Sequence, residues 1–341
     1  MSVGIFKTKS FWAAFAMTLV CSVLGTVLGG LPYLKVIGAL VISLVLGMMF
    51  QLHRPSVTYA KSGIGFISNK FLRLGIILLG FKLNLIDLAH AGVKTILLAI
   101  IIVTGTIILA YNIARKLGVS KQLAILAASG TGICGAAAVM GISPQIKAEN
   151  GNEDQKHDDE VLAVAIVAIL GTVFTLVEIG LKSILHMTPE QFGVMTGGSL
   201  HEIAHAVAAG GAGGAVALKI SIITKLSRVL MLAPAALIIG IWYQKSSGAE
   251  KSAEKSKLPI PWFMAGFILT SIIGTFVPMS TILLDGLVKL AYLILGMAMA
   301  ALGMSVNFKV FIKSGRNAVL ACLLASVILL VFVIIASKLF F

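Results

Sequence analysis

Charge is scarce in this sequence. Only 12% of its 341 residues are charged, against 58% hydrophobic, and mean hydropathy is +1.03. No soluble domain of this length carries such a composition. Cysteine is scarce as well: Cys21, Cys134 and Cys322 sit singly in apolar segments, which excludes a disulfide framework and any CxxC metal site. Long polar stretches are missing, the longest lying near 147–160 and 244–258. Nothing outside the apolar segments is therefore large enough to fold alone. The alternation of β-barrel strands is absent too. What remains is an all-α polytopic membrane protein, with 1–341 read as a single transmembrane domain.

Runs of about 20 mostly apolar residues span the hydrocarbon core of a bilayer. They occur at 11–30, 33–52, 66–82, 93–114, 121–145, 161–185, 190–214, 217–243, 260–280, 286–304 and 317–338, which predicts about 11 transmembrane helices. The first follows Lys7 and Lys9. It is longer than the apolar core of a secretory signal and lacks a convincing small-residue cleavage pattern, so it reads as a retained span. The net charge of +14 invites a nucleic-acid reading, but the distribution of Lys and Arg explains it better. With a cytoplasmic amino terminus most of them fall on the inner side, as the positive-inside rule prefers. That places the chain in the cell membrane with its carboxyl terminus outside and no nucleic-acid partner. A segment that re-enters instead of crossing would reverse this assignment downstream, and 190–214 is the one most open to that. The acidic run from Glu149 to Glu160 reads as a solvated loop, with Asp158 and Asp159 near the cap of the next helix.

Two internal echoes bear on architecture. Gly80-Phe81-Lys82-Leu83-Asn84-Leu85 with Gly92 recurs as Gly303-Met304-Ser305-Val306-Asn307-Phe308 with Gly315, and Lys70-Phe71-Leu72-Arg73 recurs as Lys225-Leu226-Ser227-Arg228. An odd number of spans separates the copies in both cases, so they run oppositely through the membrane, the signature of inverted-repeat transporters. Asn84 and Asn307 stand at repeat-related helix ends, where capping is the expected role.

Glycine-rich interruptions fall inside two of the apolar segments, at Gly130-Thr131-Gly132-Ile133-Cys134-Gly135-Ala136 and at Gly197-Gly198-Ser199-Leu200-His201-Glu202-Ile203-Ala204-His205. A helix broken at bilayer depth frees backbone groups that hydrocarbon cannot satisfy, so the break must face protein, water or solute. In transporters such breaks line the substrate site. The first string matches the dinucleotide pattern GxGxxG but lacks the strand that the motif needs. Two readings of it stand side by side: a close helix crossing built on small residues, or an unwound stretch whose N–H groups and helix dipole hold an anion.

The second string contains His201-Glu202-Ile203-Ala204-His205, a literal HExxH. On a helix this puts two imidazoles on one face for zinc, with the Glu as general base. Leu284-Asp285-Gly286 lies downstream, as in intramembrane metalloproteases of the site-2 type, where an HExxH helix and such an Asp supply the ligands. His201, His205 and Asp285 are the metal set of this alternative. Ionisable groups inside a span are costly and usually functional under either reading.

Ile133-Cys134-Gly135-Ala136-Ala137-Ala138, Ser199-Leu200-His201-Glu202-Ile203-Ala204 running into Val207-Ala208-Ala209-Gly210, and Lys225-Leu226-Ser227-Arg228-Val229-Leu230-Met231-Leu232-Ala233-Pro234 resemble the YeiH-like membrane proteins, a family named for sulfate export. So do Ile260-Pro261-Trp262-Phe263 and Ala298-Met299-Ala300-Ala301-Leu302-Gly303-Met304. These motifs follow one another from the third span almost to the end. In that family the position of His205 is typically Gln, a poor zinc ligand, which makes the HExxH a His-acid pair plus one coincidental His. The resemblance implies a secondary transporter of a small anion, sulfate or sulfonate-like, coupled to protons or sodium. Its expected plan is that of bile acid symporters and cation/proton antiporters: inverted repeats with interrupted helices.

On the residue reading and the resemblance together, the substrate site is expected at Ser129, Gly130, Thr131, Gly132, Ile133, Cys134, Gly135 and Ala136, facing Gly198, Ser199, His201, Glu202 and His205. The hydroxyls of Ser129 and Thr131 and the N–H groups from Gly132 to Gly135 would hold the solute. His201 and Glu202 would carry the coupling proton, and Arg73, Lys225 and Arg228 would attract the anion or else reach for the interface. The expected partners are a small anion, lipid and, in a homo-oligomer, further copies of the chain; no cofactor is expected, and no enzymatic activity.

Overall fold

The computed structural model describes residues 8–341 apart from 32–33, 35–38, 51–53, 91, 149–150, 247–261 and 306–307. Asn307, Glu149 and most of the 244–258 stretch lie outside the described residues. Each apolar run becomes helix because hydrocarbon leaves backbone groups no partner outside their own segment. The helices that matter here are α1 (Lys9–Gly29), α2 (Ala39–Phe50), α3 (Lys61–Lys82), α4 (Gly92–Lys116), α5 (Lys121–Gly132), α6 (Ala136–Ile142), α7 (Glu153–Leu185), α8 (Pro189–Ser199), α9 (Ile203–Ala212), α10 (Ala215–Leu230), α11 (Leu232–Ser246), α12 (Trp262–Phe276), α13 (Thr281–Met304) and α14 (Phe308–Phe340). No strand occurs among the described residues. The chain is an all-α, multi-pass membrane protein. Among the described residues seven helical stretches are long and apolar enough to cross: α1, α3, α4, α7, the α10–α11 pair, α13 and most of α14. Short polar side chains start several of them. Thr8, Ser120, Asn152, Thr188 and Ser280 each accept a first-turn N–H, satisfying a donor that the helix leaves unpaired.

The chain divides into two compact units, Met1–Ile86 with Phe263–Val306 and Asp87–Trp262 with Asn307–Phe341. The first unit packs α1, α2, α3, α12 and α13 through small residues. Ser22 Oγ donates to Leu293 O at 2.7 Å, and Gly47 and Gly303 lie against the carbonyls of Ala300 and Leu44. Such residues let backbones approach where no hydrophobic force drives helices together. Arg73 belongs to this unit, its guanidinium 6.0 Å from the centre of the Phe263 ring.

The second unit is organised along α7, and its geometry corrects two of the expected spans. Gln122, at the start of α5, donates from Nε2 to Asp159 Oδ2 at 2.9 Å, while Ser143, just past the end of α6, donates to Glu160. Both ends of the 121–145 segment therefore sit at the same end of α7. Between them the chain folds back: a methyl placed on Gly130 would lie 2.9 Å from both Val139 Cγ2 and Val167 Cγ1. The segment is a re-entrant hairpin, α5 in and α6 out.

The segment 190–214 does the same from the other end of α7. Gly193 packs on Ala217 and Gly197 on Ser221 and Thr224, so α8 runs parallel to α10; Gly210 packs on Ser221 and Gly213 on Ala217, so α9 runs antiparallel to it. At one level Thr196 Oγ1 donates to Ser221 Oγ, and Ser221 Oγ donates to Ala206 O, each at 2.9 Å. Ser199 meets Glu178, and Lys182 Nζ donates to Ala212 O at 2.7 Å, which ties this hairpin to the C-terminal half of α7. At 1.5 Å per residue, the 12 residues of α5 and the 11 of α8 are about 16–18 Å long, half the thickness of a bilayer core of about 30 Å.

Two of the eleven apolar segments thus enter and leave by the same side. The hairpins hang from opposite ends of α7 in opposite senses, and it is here that the opposed symmetry is visible. The Lys70–Arg73 echo does not share its counterpart's surroundings, since Lys70 is exposed and Arg73 half-buried, whereas Lys225 and Arg228 are fully buried. Helix α14 closes the unit antiparallel to α4, with Asn317 Nδ2 donating to Leu117 O at 2.8 Å and Val333 beside Ile102 in one apolar cluster.

Candidate functional site

The two hairpin tips, Ile133–Gly135 and Leu200–Glu202, meet beside the middle of α7. A broken helix ends in carbonyls without partners and carries the negative end of its dipole there. At the ends of α5 and α8 these carbonyls are met by two cations one turn apart on α10. Lys225 Nζ donates to Ile133 O at 2.8 Å and Leu200 O at 2.6 Å. Arg228 donates from Nε to Gly132 O at 3.2 Å, and from Nη2 to Gly132 O at 2.8 Å and Thr131 O at 3.1 Å. Its Nη1 donates to Gly198 O at 2.7 Å, Leu200 O at 2.9 Å and Gly197 O at 3.4 Å. Both side chains are 0% exposed. Neither reaches for the interface, and both bridge the two hairpins.

The start of the outgoing arm of the first hairpin faces a carboxylate. Ala136 N–H donates to Glu202 Oε1 at 3.4 Å. Glu202 is extended, φ −118° and ψ 158°, and immediately precedes α9. Its Oε2 is buried without a partner. Cys134 and Ile133 are buried at the first tip. The other groups of the first hairpin differ from the sequence expectation. Ser129 Oγ and Thr131 Oγ1 donate to Ile125 O and Ala127 O within their own helix. The N–H groups of Ile133 and Gly135 are held by Ser129 O and Gly130 O. Gly130 and Gly132 serve close packing, against Val167 and Ile107. Of the cationic residues expected here, Lys225 and Arg228 are brought to the tips, while Arg73 stands in the first unit against Phe263.

The second tip is lined by imidazoles. Ser326 Oγ donates to Cys322 O at 2.7 Å, so at 3.0 Å it accepts from His201 Nε2. Thr172 Oγ1 donates to Ala168 O at 3.0 Å and accepts from His205 Nε2 at 3.4 Å. With the proton on Nε2, each ring has a bare Nδ1. Both Nδ1 atoms are buried without a partner, as are Glu178 Oε2 and Thr224 Oγ1. Ser199 Oγ lies 2.6 Å from Glu178 Oε1 and 2.5 Å from Met195 O, and Gly198 packs on Val333.

The zinc alternative lacks its geometry. Helix α9 begins at Ile203, so His201 and Glu202 precede the helix that would place both imidazoles on one face. Asp285 is an exposed residue near the start of α13. Among the described residues no three His, Cys, Asp or Glu side chains are grouped to hold a metal ion; His201, His205 and Asp285 do not form a site.

Glu178 escaped the sequence reading, although it is an acid inside an apolar span, the signal that marks function in a membrane. In the fold Glu178 meets Ser199, while Lys182, one turn on, turns to Ala212 O. Ser326 and Thr172 carried no signal, because hydroxyls bonded to their own helix are ordinary in spans.

The family described as conserved hypothetical protein 698 matches residues 13–322. The chain is 58% identical to a UPF0324 membrane protein of Lactobacillus johnsonii over 99% of this chain and all of the relative. It is 51% identical to one of Bifidobacterium longum over 95% and 94%, and 43% identical to one of Bacillus cereus over 95% and 93%. No solved structure matches. Paired glycine breaks, a basic pair on α10 and near full-length kinship agree with the resemblance in the motifs: the chain belongs to the YeiH-like membrane proteins of the conserved hypothetical protein 698 family.

Proposed function

We propose that this chain is a secondary transporter, not an enzyme, and that it carries a small anion through the meeting point of the two hairpin tips. The observation that carries this reading is the pair of half-length hairpins entering from opposite ends of α7 and meeting around buried Lys225, Arg228 and Glu202. Buried ionisable residues and broken helices at bilayer depth belong to substrate paths. The two cations satisfy the negative C-terminal ends of α5 and α8, which leaves the positive N-terminal ends of α6 and α9 to face the tip. Glu202 rests there as a built-in anion, held by one long hydrogen bond, with its second oxygen unpartnered. A sulfate- or sulfonate-like solute competes with it for the Ala136 N–H. A proton on Glu202 releases that group, so proton and anion move together.

In the same proposal the membrane is the cell membrane, and the end of the second unit bearing Arg115, Lys116, Lys121, Lys147, Lys245 and Arg316 faces the cytoplasm. The opposite end carries Lys94, Lys182, Lys219 and Lys338. Two re-entrant segments change the side of the connections between them and cancel over the whole chain, which keeps the amino terminus inside.

Flux of labelled sulfate, sulfite, sulfonates and carboxylates into proteoliposomes tests this reading, with an imposed proton gradient and with Glu202→Gln. Wild-type protein is expected to move one of these anion classes in a pH-dependent manner, and Glu202→Gln to lose that dependence. Persistent pH dependence in the variant would refute the proton role, and no flux of any anion would refute the solute class.

A further inference from the structure

Six backbone carbonyls, those of Thr131, Gly132, Ile133, Gly197, Gly198 and Leu200, converge on the side chains of Lys225 and Arg228. We propose that this carbonyl cage is an alkali-cation site whose cation the protein supplies itself: Lys225 and Arg228 occupy the place of a coupling sodium, and the protein works without one.

The C-terminal ends of interrupted helices, with unwound carbonyls, are where transporters coordinate sodium. Each such end carries about half a negative charge, and two of them brought together in a dry interior demand a cation. Here the cation is tethered. Every nitrogen of the Arg228 guanidinium donates into the cage, at 2.7–3.4 Å. The Lys225 ammonium spans the two tips, at 2.6 and 2.8 Å. Oxygens engaged by fixed donors are closed to a mobile ion. The word coupling rests on the transporter reading, whereas the cage itself does not.

Thermal unfolding of the purified full-length protein tests it, in choline, sodium, potassium and lithium chlorides at one ionic strength and without any solute. The wild-type midpoint is expected to be the same in all four salts. Lys225→Ala strands Ile133 O and leaves Leu200 O to Arg228 alone, so it is expected to unfold several degrees lower and to recover part of that loss, saturably, in sodium, lithium or ammonium but not in choline. Arg228→Ala is expected to respond in the same way to millimolar guanidinium, below denaturing concentrations. A saturable sodium stabilisation of the wild type overturns the proposal, as does a folded Lys225→Ala that ignores every small cation. If the alanine variants do not fold, the wild-type comparison decides, joined by Arg228→Lys, which keeps the charge and is expected to remain indifferent to sodium. Sodium dependence in the wild type would leave the anion site standing, and loss of every anion response would leave the tethered cation standing.

Discussion

At Gly135 the backbone turns with φ +69° and ψ −134°, and a methyl added there would lie 2.5 Å from Glu202 Cγ. Gly135→Ala therefore costs about 1–3 kcal/mol in backbone strain and pushes Glu202 off Ala136. A lower unfolding midpoint together with lost anion flux is expected, and a variant with normal flux would contradict the role given to that contact. His205 poses the opposite test. Its ring lies against Gly171 and bonds only Thr172, and the resembling family places Gln there, so His205→Gln is expected to keep both fold and anion response. Zinc and chelator are expected to leave the midpoints of both proteins unchanged; a zinc shift lost on substitution would revive the metal reading. At this scale the sequence was partly legible. His201, Glu202, Lys225 and Arg228 stood out as charges in apolar runs, whereas what each would touch did not, because Arg228 meets carbonyls as far as 97 residues away.

The hairpins are the element-scale finding, and labelling from one side tests them. Lys121→Cys and Lys147→Cys flank the first hairpin, and Glu190→Cys and Gly211→Cys the second. The native cysteines are buried. In oriented vesicles an impermeant maleimide is expected to label both members of a pair from one side, and the two pairs from opposite sides; a split within a pair would restore crossing helices. The cap of the second hairpin is measurable by itself. Thr188 and Gln191 form a reciprocal capping box on either side of Pro189, so Thr188→Ala is expected to cost about 1 kcal/mol in an unfolding assay. Apolar length and glycine breaks were readable from composition. Direction was not, because a segment of 20 apolar residues reads alike whether it crosses or turns back; the decisive contacts pair Gln122 with Asp159 and Ser143 with Glu160, outside the segment's own pattern.

For the whole molecule, the transporter reading predicts that one anion class raises the unfolding midpoint. A ligand bound only to the native state stabilises it by about 2.7 kcal/mol at a hundredfold excess over Kd. The gain is expected to be smaller in Glu202→Gln, and indifference to every anion would count against the site. The membrane class, its all-α character and the family were plain in the motifs, while the division into two units left no mark in composition, since both are built of the same apolar helices.

The clamp formed by Arg228 sets how such a molecule moves. Drawing the second tip away from the first would leave the carbonyls of Gly197, Gly198 and Leu200 bare in a dry interior, at about 1–3 kcal/mol for each unsatisfied group. A lock whose two leaves are bolted to one another does not open by parting them. In the transporter reading, whatever motion bares the solute to one side or the other must carry both tips and α10 as a single piece, like a revolving door turning about its fixed post.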